Sequence, residues 1–182
     1  MTPIRPTWLA ASAATALAAI ALSGCAVAVR SYVDRRADFS QYRTYAWGAA
    51  DTFTTGDPRL DNNTFFRDRL QKAADARFAA RGFEQTETES ADLVLHYHMN
   101  ITQRIDVNEM DQKYGYCDDC RAEVYDAGTL TLDLVETRTG RLVWRGWSER
   151  SISGVLDKQD WMDRQVEEAV ARILERLPIP RG

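Results

Sequence analysis

The sequence predicts an α+β fold, a two-layer sandwich in which two helices cover one face of a mainly antiparallel sheet. Two segments with helical periodicity, 64–81 and 159–177, are separated by four segments in which apolar and polar residues alternate. A further strand-like segment, 26–48, precedes the first helix, so the predicted order is β-α-β-β-β-β-α. Because each amphipathic helix needs an apolar surface to cover, we expect both helices on the same face of the sheet.

Both predicted helices carry an apolar stripe. The first has an apolar residue at every fourth position, and Gly82 follows it where a C-terminal glycine belongs. Its stripe consists of Phe66, Leu70, Ala74 and Phe78. The stripe of the second helix consists of Met162, Val166, Ala169, Val170, Ile173 and Leu177. Pro178 then ends the second helix, since proline cannot continue the hydrogen-bond pattern.

Five segments are predicted as strands. They are 26–48, 82–88, 91–107, 128–137 and 142–151. In the first, Phe39, Tyr45 and Trp47 have the same parity, which favours one strand with a large aromatic face. In the third, apolar residues alternate with a polar set that includes His96 and His98. Strict alternation predicts that the two histidines point to the same, solvent-facing side of the sheet.

The last two predicted strands form a hairpin. Gly140 can adopt a positive φ and therefore favours a tight turn between them. In the returning strand, alternation predicts Leu142 and Trp144 on one face and Val143 and Trp147 on the other.

The N-terminus is typical of an export signal. Residues 1–24 contain a basic residue, Arg5, and an uncharged apolar stretch of 14 residues, Leu9–Leu22. That stretch is shorter than the ~20 apolar residues needed to cross a bilayer. The following Leu-Ser-Gly-Cys resembles the lipobox of bacterial lipoproteins, which predicts that Cys25 is lipidated and becomes the mature N-terminus. The alternatives are a plain secretory signal cleaved nearby and a short anchor helix. Residues 25–182 are predicted to form a single domain.

Composition and the residue after the lipobox predict where the domain lies. Loss of Arg5 with the signal changes the net charge from −4 to −5, and an acidic domain is a poor nucleic-acid binder. The resemblance to lipoproteins of two-membrane bacteria implies that an Asp after the lipidated Cys would favour the inner membrane. Ala26 stands there instead. We therefore expect the protein to be anchored by lipid in the periplasmic leaflet of the outer membrane.

A Cys-Asp-Asp-Cys sequence, with Cys117 and Cys120, allows three interpretations. In an oxidising compartment the pair favours a structural disulfide. Redox activity is disfavoured because reactive thiolates prefer neighbouring cations, whereas two carboxylates lie between these sulfurs. The third interpretation is a zinc site in which His96 and His98 supply two further ligands of tetrahedral type.

No known catalytic motif occurs in the chain, so no cofactor and no enzyme activity are expected, with an uncharacterised hydrolase as a weaker alternative. The acidic region 106–126 is predicted to be a solvated loop. It contains three tyrosines, Tyr114, Tyr116 and Tyr125, which are hard to bury in so polar a segment. Exposed tyrosines are frequent in binding surfaces, and this is our hypothesis for these three.

Five segments together resemble the DUF4136 family of bacterial lipoproteins, a domain of unknown function. They are Asp38–Trp47, Arg81–Phe83, Ala91–His98, Gly128–Leu134 and Leu142–Gly146. The resemblance spans nearly the whole mature chain and implies an exported, usually lipidated envelope protein. It supplies no catalytic residues, and the Cys-Asp-Asp-Cys loop is not part of the family pattern.

The sequence therefore predicts a non-enzymatic binding or scaffolding module that faces the periplasm. Its expected working surface is the sheet face without helices, together with the 106–126 loop, and its expected partner is an envelope protein or the cell wall. The alternative is a periplasmic metal-binding or redox-sensing lipoprotein that uses His96, His98, Cys117 and Cys120.

Overall fold

A computed structural model describes residues 28–49, 61, 64–105, 124–152 and 158–178. Within these residues the strands are β1 (Ala28–Val33), β2 (Thr44–Trp47), β3 (Glu84–Gln85), β4 (Leu93–Ile105), β5 (Val124–Glu136) and β6 (Arg141–Ser151). The helices are α1 (Thr64–Ala79) and α2 (Gln159–Leu174). No helix among the described residues is long and apolar enough to cross a membrane.

The described strands form one sheet in the order β1-β6-β5-β4-β2-β3. Pairing is antiparallel from β1 to β4, and β2 runs parallel to both β4 and β3. The α+β fold with a mainly antiparallel sheet is thus confirmed. Gly82 and Gly140 have φ values of 81° and 65°, as their predicted places in a helix terminus and a turn require.

The segment 26–48 forms two strands, so the prediction of one strand there was wrong. Between β1 and β2 the chain makes a 3-10 turn at Phe39–Gln41. Asp38 caps this turn, because its carboxylate accepts a hydrogen bond from the backbone N–H of Ser40 at 3.0 Å. The turn lets the chain leave β1 at one edge of the sheet and re-enter as β2 on the far side of β4.

The core lies between the two helices and one face of the sheet. Leu95, Leu134 and Trp144 are opposite one another on β4, β5 and β6, and all three are fully buried. Both predicted helical stripes are buried against this layer, which confirms them and places the helices on one face. The helical members of the core are Phe66, Leu70, Ala74, Phe78, Met162, Val166, Ala169, Val170, Ile173, Leu174 and Leu177.

A β-bulge in β6 changes which face its first residues occupy. Leu134 is opposite Trp144 but Val135 is opposite Leu142, so Val143 is the extra residue. Because neighbouring residues of a strand point to opposite faces, the bulge puts Leu142 on the opposite face from Trp144. The prediction that these two share a face was wrong, since it assumed uninterrupted alternation.

Two buried carboxylates secure the edges of this arrangement. Asp92 accepts hydrogen bonds from the backbone N–H groups of Arg43 (2.8 Å) and Thr44 (2.9 Å) and from the Thr44 hydroxyl (3.0 Å), which fixes β2 beside β4. Burial alone would raise the pKa of Asp92, but these donors hold it below its usual value. Glu136 accepts a hydrogen bond from the Tyr42 hydroxyl at 3.2 Å, and burial together with this carboxylate raises the pKa of Tyr42 to about 12.

Candidate functional site

The face of the sheet opposite the helices is the candidate site, and we call it the open face. Its residues follow from strand register, because alternate side chains point away from the core. On the strands from β1 to β4 its large or polar members are Arg30, Tyr32, Arg145, Trp147, Glu149, Tyr125, Thr129, Thr131, Asp133, His96, His98, Asn100 and Arg104. It is therefore a polar surface with interspersed aromatic rings.

A carboxylate with almost no solvent exposure lies at the centre of the open face. The Asp133 side chain is only 6% exposed, whereas its partners Arg145 and His98 are 45% and 39% exposed. Arg145 donates from Nε to Oδ1 at 2.7 Å and from Nη2 to Oδ2 at 2.5 Å, which is a bidentate pair. His98 Nε2 lies 3.2 Å from Oδ2. The hydrogen bonds to Asp133 raise the pKa of the Arg145 guanidinium above its usual value.

This cluster fixes the direction of Arg145. A free arginine side chain samples many rotamers, but a bidentate bond to a buried carboxylate holds the guanidinium in one plane. The Arg145 nitrogens not bonded to Asp133 are partly exposed with the rest of the side chain and can donate to a bound molecule.

Trp147 is the aromatic centre of the open face. The ring is half-buried, and strand register places Arg30 on one side of it and Thr131 on the other. Two depressions meet at this residue. One has a volume of about 430 Å³ and is lined by Trp147, Thr131, Arg145 and His98. Volumes of this order suit small-molecule or side-chain groups of a partner.

The second depression, of about 500 Å³, continues from Trp147 towards the start of β5. Its lining includes Arg30, Arg104, Tyr125 and Glu149, and Arg104 forms an ion pair with Glu149 at 3.1 Å. Tyr125 is half-buried at its edge, in keeping with the binding role that we predicted for it. The other two tyrosines of that prediction, Tyr114 and Tyr116, lie outside the described residues.

The histidines predicted as ligands both lie on the open face, as alternation indicated. His98 contacts Asp133, and His96 packs so closely on Gly48 that a Cβ there would be 2.2 Å from its Cε1 atom. Among the described residues no three His, Cys, Asp or Glu side chains form a group that could hold a metal ion. Cys117 and Cys120, like Cys25, lie outside the described residues, so the predictions made for them stay predictions.

Sequence reasoning missed the pair of Asp133 and Arg145, and also Arg30 and Trp147 as members of one surface. The signal was present but weak, since Asp133 is a single acid between Leu132 and Leu134. Folding the predicted hairpin about Gly140 brings the neighbourhood of residue 145 opposite residue 133, although the bulge at Val143 makes that register uncertain from sequence.

One enclosed cavity lies on the other side of the sheet, between the helices and β4 to β6. Its lining is largely apolar and includes Phe66, Met99, Leu130, Ile152 and Met162. At about 40 Å³ it is far smaller than usual organic ligand sites. The open face is therefore the better candidate for recognition.

Comparison with known proteins agrees with this architecture. No curated protein matches the chain. A PDZ domain protein from Parabacteroides distasonis is similar in structure, with a TM-score of 0.58 and 12% identity, over 86% of this chain and 36% of that one. The chain thus spans about a third of the length of that protein. A DUF4136 family protein from Bacteroides thetaiotaomicron has a TM-score of 0.51 and 13% identity, over 85% and 97% of the two chains.

Identities this low show a shared fold and nothing more. The family described as "Domain of unknown function (DUF4136)" matches residues 29–179, which covers every described strand and helix except the first residue of β1. The chain belongs to the DUF4136 family.

Proposed function

We propose that this protein is a lipid-anchored envelope lipoprotein that faces the periplasm and acts as a non-enzymatic binding or scaffolding module. The observation that carries the proposal is the open face, where Trp147 and Arg145 border two depressions on the side of the sheet away from the helices. Tryptophan and arginine are the residues that contribute most often to the energetic centres of protein interfaces.

The geometry at Asp133 supports binding over catalysis. Both carboxylate oxygens are engaged by Arg145, and one of them also contacts His98. A carboxylate held in this way orients a guanidinium for recognition, whereas a general base needs a lone pair directed at substrate. A hydrolase based on this cluster is the weakest alternative.

Photo-crosslinking in the intact envelope tests the binding proposal. A photoreactive residue in place of Thr131 lies on the open face, and the same residue in place of Glu167 on α2 is a matched control on the exposed side of the helical layer. We expect one defined adduct, with an envelope protein or a cell-wall fragment, from position 131 alone. Equal adducts from both positions, or none from either, would contradict a binding role for the open face.

The proposed address depends on Cys25, followed by Ala26. Intact mass of protein extracted from membranes is expected to begin at an acylated Cys25. Cys25→Ser is expected to leave an uncleaved or soluble form. A Cys25→Ser protein that is still cleaved and firmly membrane-bound would refute lipid anchoring.

The alternative function is metal binding or redox sensing by His96, His98, Cys117 and Cys120. It is favoured by the shared orientation of the two histidines on the open face. Ile105 is the last described residue before the cysteines and lies seven residues beyond His98 on β4, about 23 Å at the usual rise per residue. Alkylation of non-reduced protein decides between the two functions. Two reactive thiols with bound zinc would favour the alternative, and no reactive thiol would favour a structural disulfide.

A further inference from the structure

The described chain starts close to its proposed anchor. β1 begins at Ala28, three residues after Cys25, so the anchor lies within about 11 Å of Ala28 even if the chain between them is fully extended. Ala28 is opposite Glu149, and β1 runs from there away from the start of β5. The anchor therefore enters on the side of the sheet where β4 ends and β5 begins.

At that side β4 and β5 extend beyond the rest of the sheet as a two-stranded arm. We define the arm as Gln103–Ile105 paired with Val124–Asp126. Pairing with β6 stops at Ala127, so the arm has no third strand among the described residues.

The tip of the arm is apolar and exposed. Along β4 the residues on the helix-facing side change from buried Leu95 to half-buried Ile101 and then to Ile105, which is 57% exposed. Its direct partner Val124 is 54% exposed. Four large apolar residues in the described part of the chain are this exposed, and two of them meet at this tip. The others are Tyr32 and Val33 on β1.

The charges beside the arm are mainly positive. The depression at its base is lined by Arg30, Arg104 and Arg150 against a single acid, Glu149. The whole chain, by contrast, has a net charge of −4. Exposed apolar side chains next to arginines on an acidic protein are complementary to a membrane surface with anionic headgroups.

We propose that the arm is a second membrane contact, in which Ile105 and Val124 enter the headgroup region of the anchoring leaflet while the neighbouring arginines meet lipid phosphates. The inference rests on the proposed lipidation of Cys25, because the anchor brings this side of the sheet to the membrane. Two contacts fix the orientation of the domain, and the depression at Trp147 and Arg145 is then directed away from the bilayer.

Depth-dependent quenching tests the proposal on the full protein. Val124→Trp adds a reporter at the tip, and Val33→Trp is the matched control, since Val33 is an exposed valine at the opposite end of β1. Each protein is purified in detergent, its mass is measured, and it is reconstituted into phosphatidylcholine–phosphatidylglycerol vesicles with acyl-chain bromines. After subtraction of the parent signal, we expect quenching at position 124 to exceed that at position 33 by about twofold or more.

The outcomes separate the two proposals. An acylated protein with strong quenching at position 124 alone supports the arm as a membrane contact. An acylated protein without preferential quenching there overturns the inference and leaves the lipoprotein proposal standing. A mass without acyl chains overturns the proposed anchoring, and the inference with it. Ile105→Trp repeats the measurement from the other strand in case Val124→Trp does not fold.

Discussion

A double-mutant cycle on Asp133 and Arg145 tests whether the centre of the open face is an organised pair. The three variants are Asp133→Ala, Arg145→Ala and the combination of both. The side chains form two hydrogen bonds, of 2.7 and 2.5 Å, but they differ greatly in burial. Asp133 is 6% exposed and Arg145 is 45% exposed, so the two single variants strand very different groups.

The expected magnitudes follow from that difference. Arg145→Ala leaves a desolvated carboxylate with His98 beside it, and we expect a loss of about 3 kcal/mol in the free energy of unfolding, the low end for breaking a buried pair. Asp133→Ala leaves a guanidinium that can turn to water, so the loss is about 2 kcal/mol, mainly from hydrogen bonds to a charged group. Both variants remove the same contacts, so the double variant should cost less than the sum by about 1–2 kcal/mol.

Urea unfolding of the four proteins, followed by far-ultraviolet circular dichroism, gives the three differences. A cycle that is additive within about 0.5 kcal/mol would show that the pair is not formed in solution. A larger loss for Asp133→Ala than for Arg145→Ala would refute the argument from burial. Either result would also remove the support that a fixed Arg145 gives to the proposed binding function.

Three further predictions concern the framework of the fold. Gly146→Ala should destabilise by about 2 kcal/mol in urea unfolding, because the new Cβ would lie 2.5 Å from the buried ring of Trp144, whereas Ser31→Ala on the neighbouring strand should change little. Tyr42 keeps its proton in the folded state up to about pH 12, while the unfolded chain loses it near pH 10, so stability should fall between these values and Tyr42→Phe should flatten part of that fall. The pKa of Asp92 is lowered in the folded state, so its contribution is present above the unfolded value of 3.8 and is lost on acidification, and Asp92→Asn should reduce stability at pH 7 together with this acid-side slope.

The helices and long strands were predictable because their signals are local. A stripe at three- and four-residue spacing predicts which side of a helix is buried whatever it packs against, and both stripes are buried as expected. Glycines at 82 and 140 likewise predict backbone conformations that few other residues adopt. The division of 26–48 into β1 and β2 was missed, because the aromatic alternation there hides the turn capped by Asp38.

The open face was only partly predictable because it depends on pairing between strands. The parity of His96 and His98 follows from one strand alone, and it was found. The contact of Asp133 with Arg145 needs the register of the hairpin, which the extra residue Val143 shifts. An isolated acid in an alternating strand normally indicates solvent, and only the neighbouring strands show that Asp133 is enclosed.

Strand order links the proposed anchor to the proposed binding face. β1 is an edge strand, and its neighbour β6 carries both Trp147 and Arg145. With Cys25 lipidated, Arg30 can lie at most about 18 Å from the anchor, because five residues separate them. Trp147 is directly opposite Arg30, so it is held near the membrane by a folded strand, where another lipoprotein would use a long linker. A partner recognised by this face must therefore lie at or close to the leaflet that holds the anchor, which favours a membrane-associated protein over a freely diffusing one.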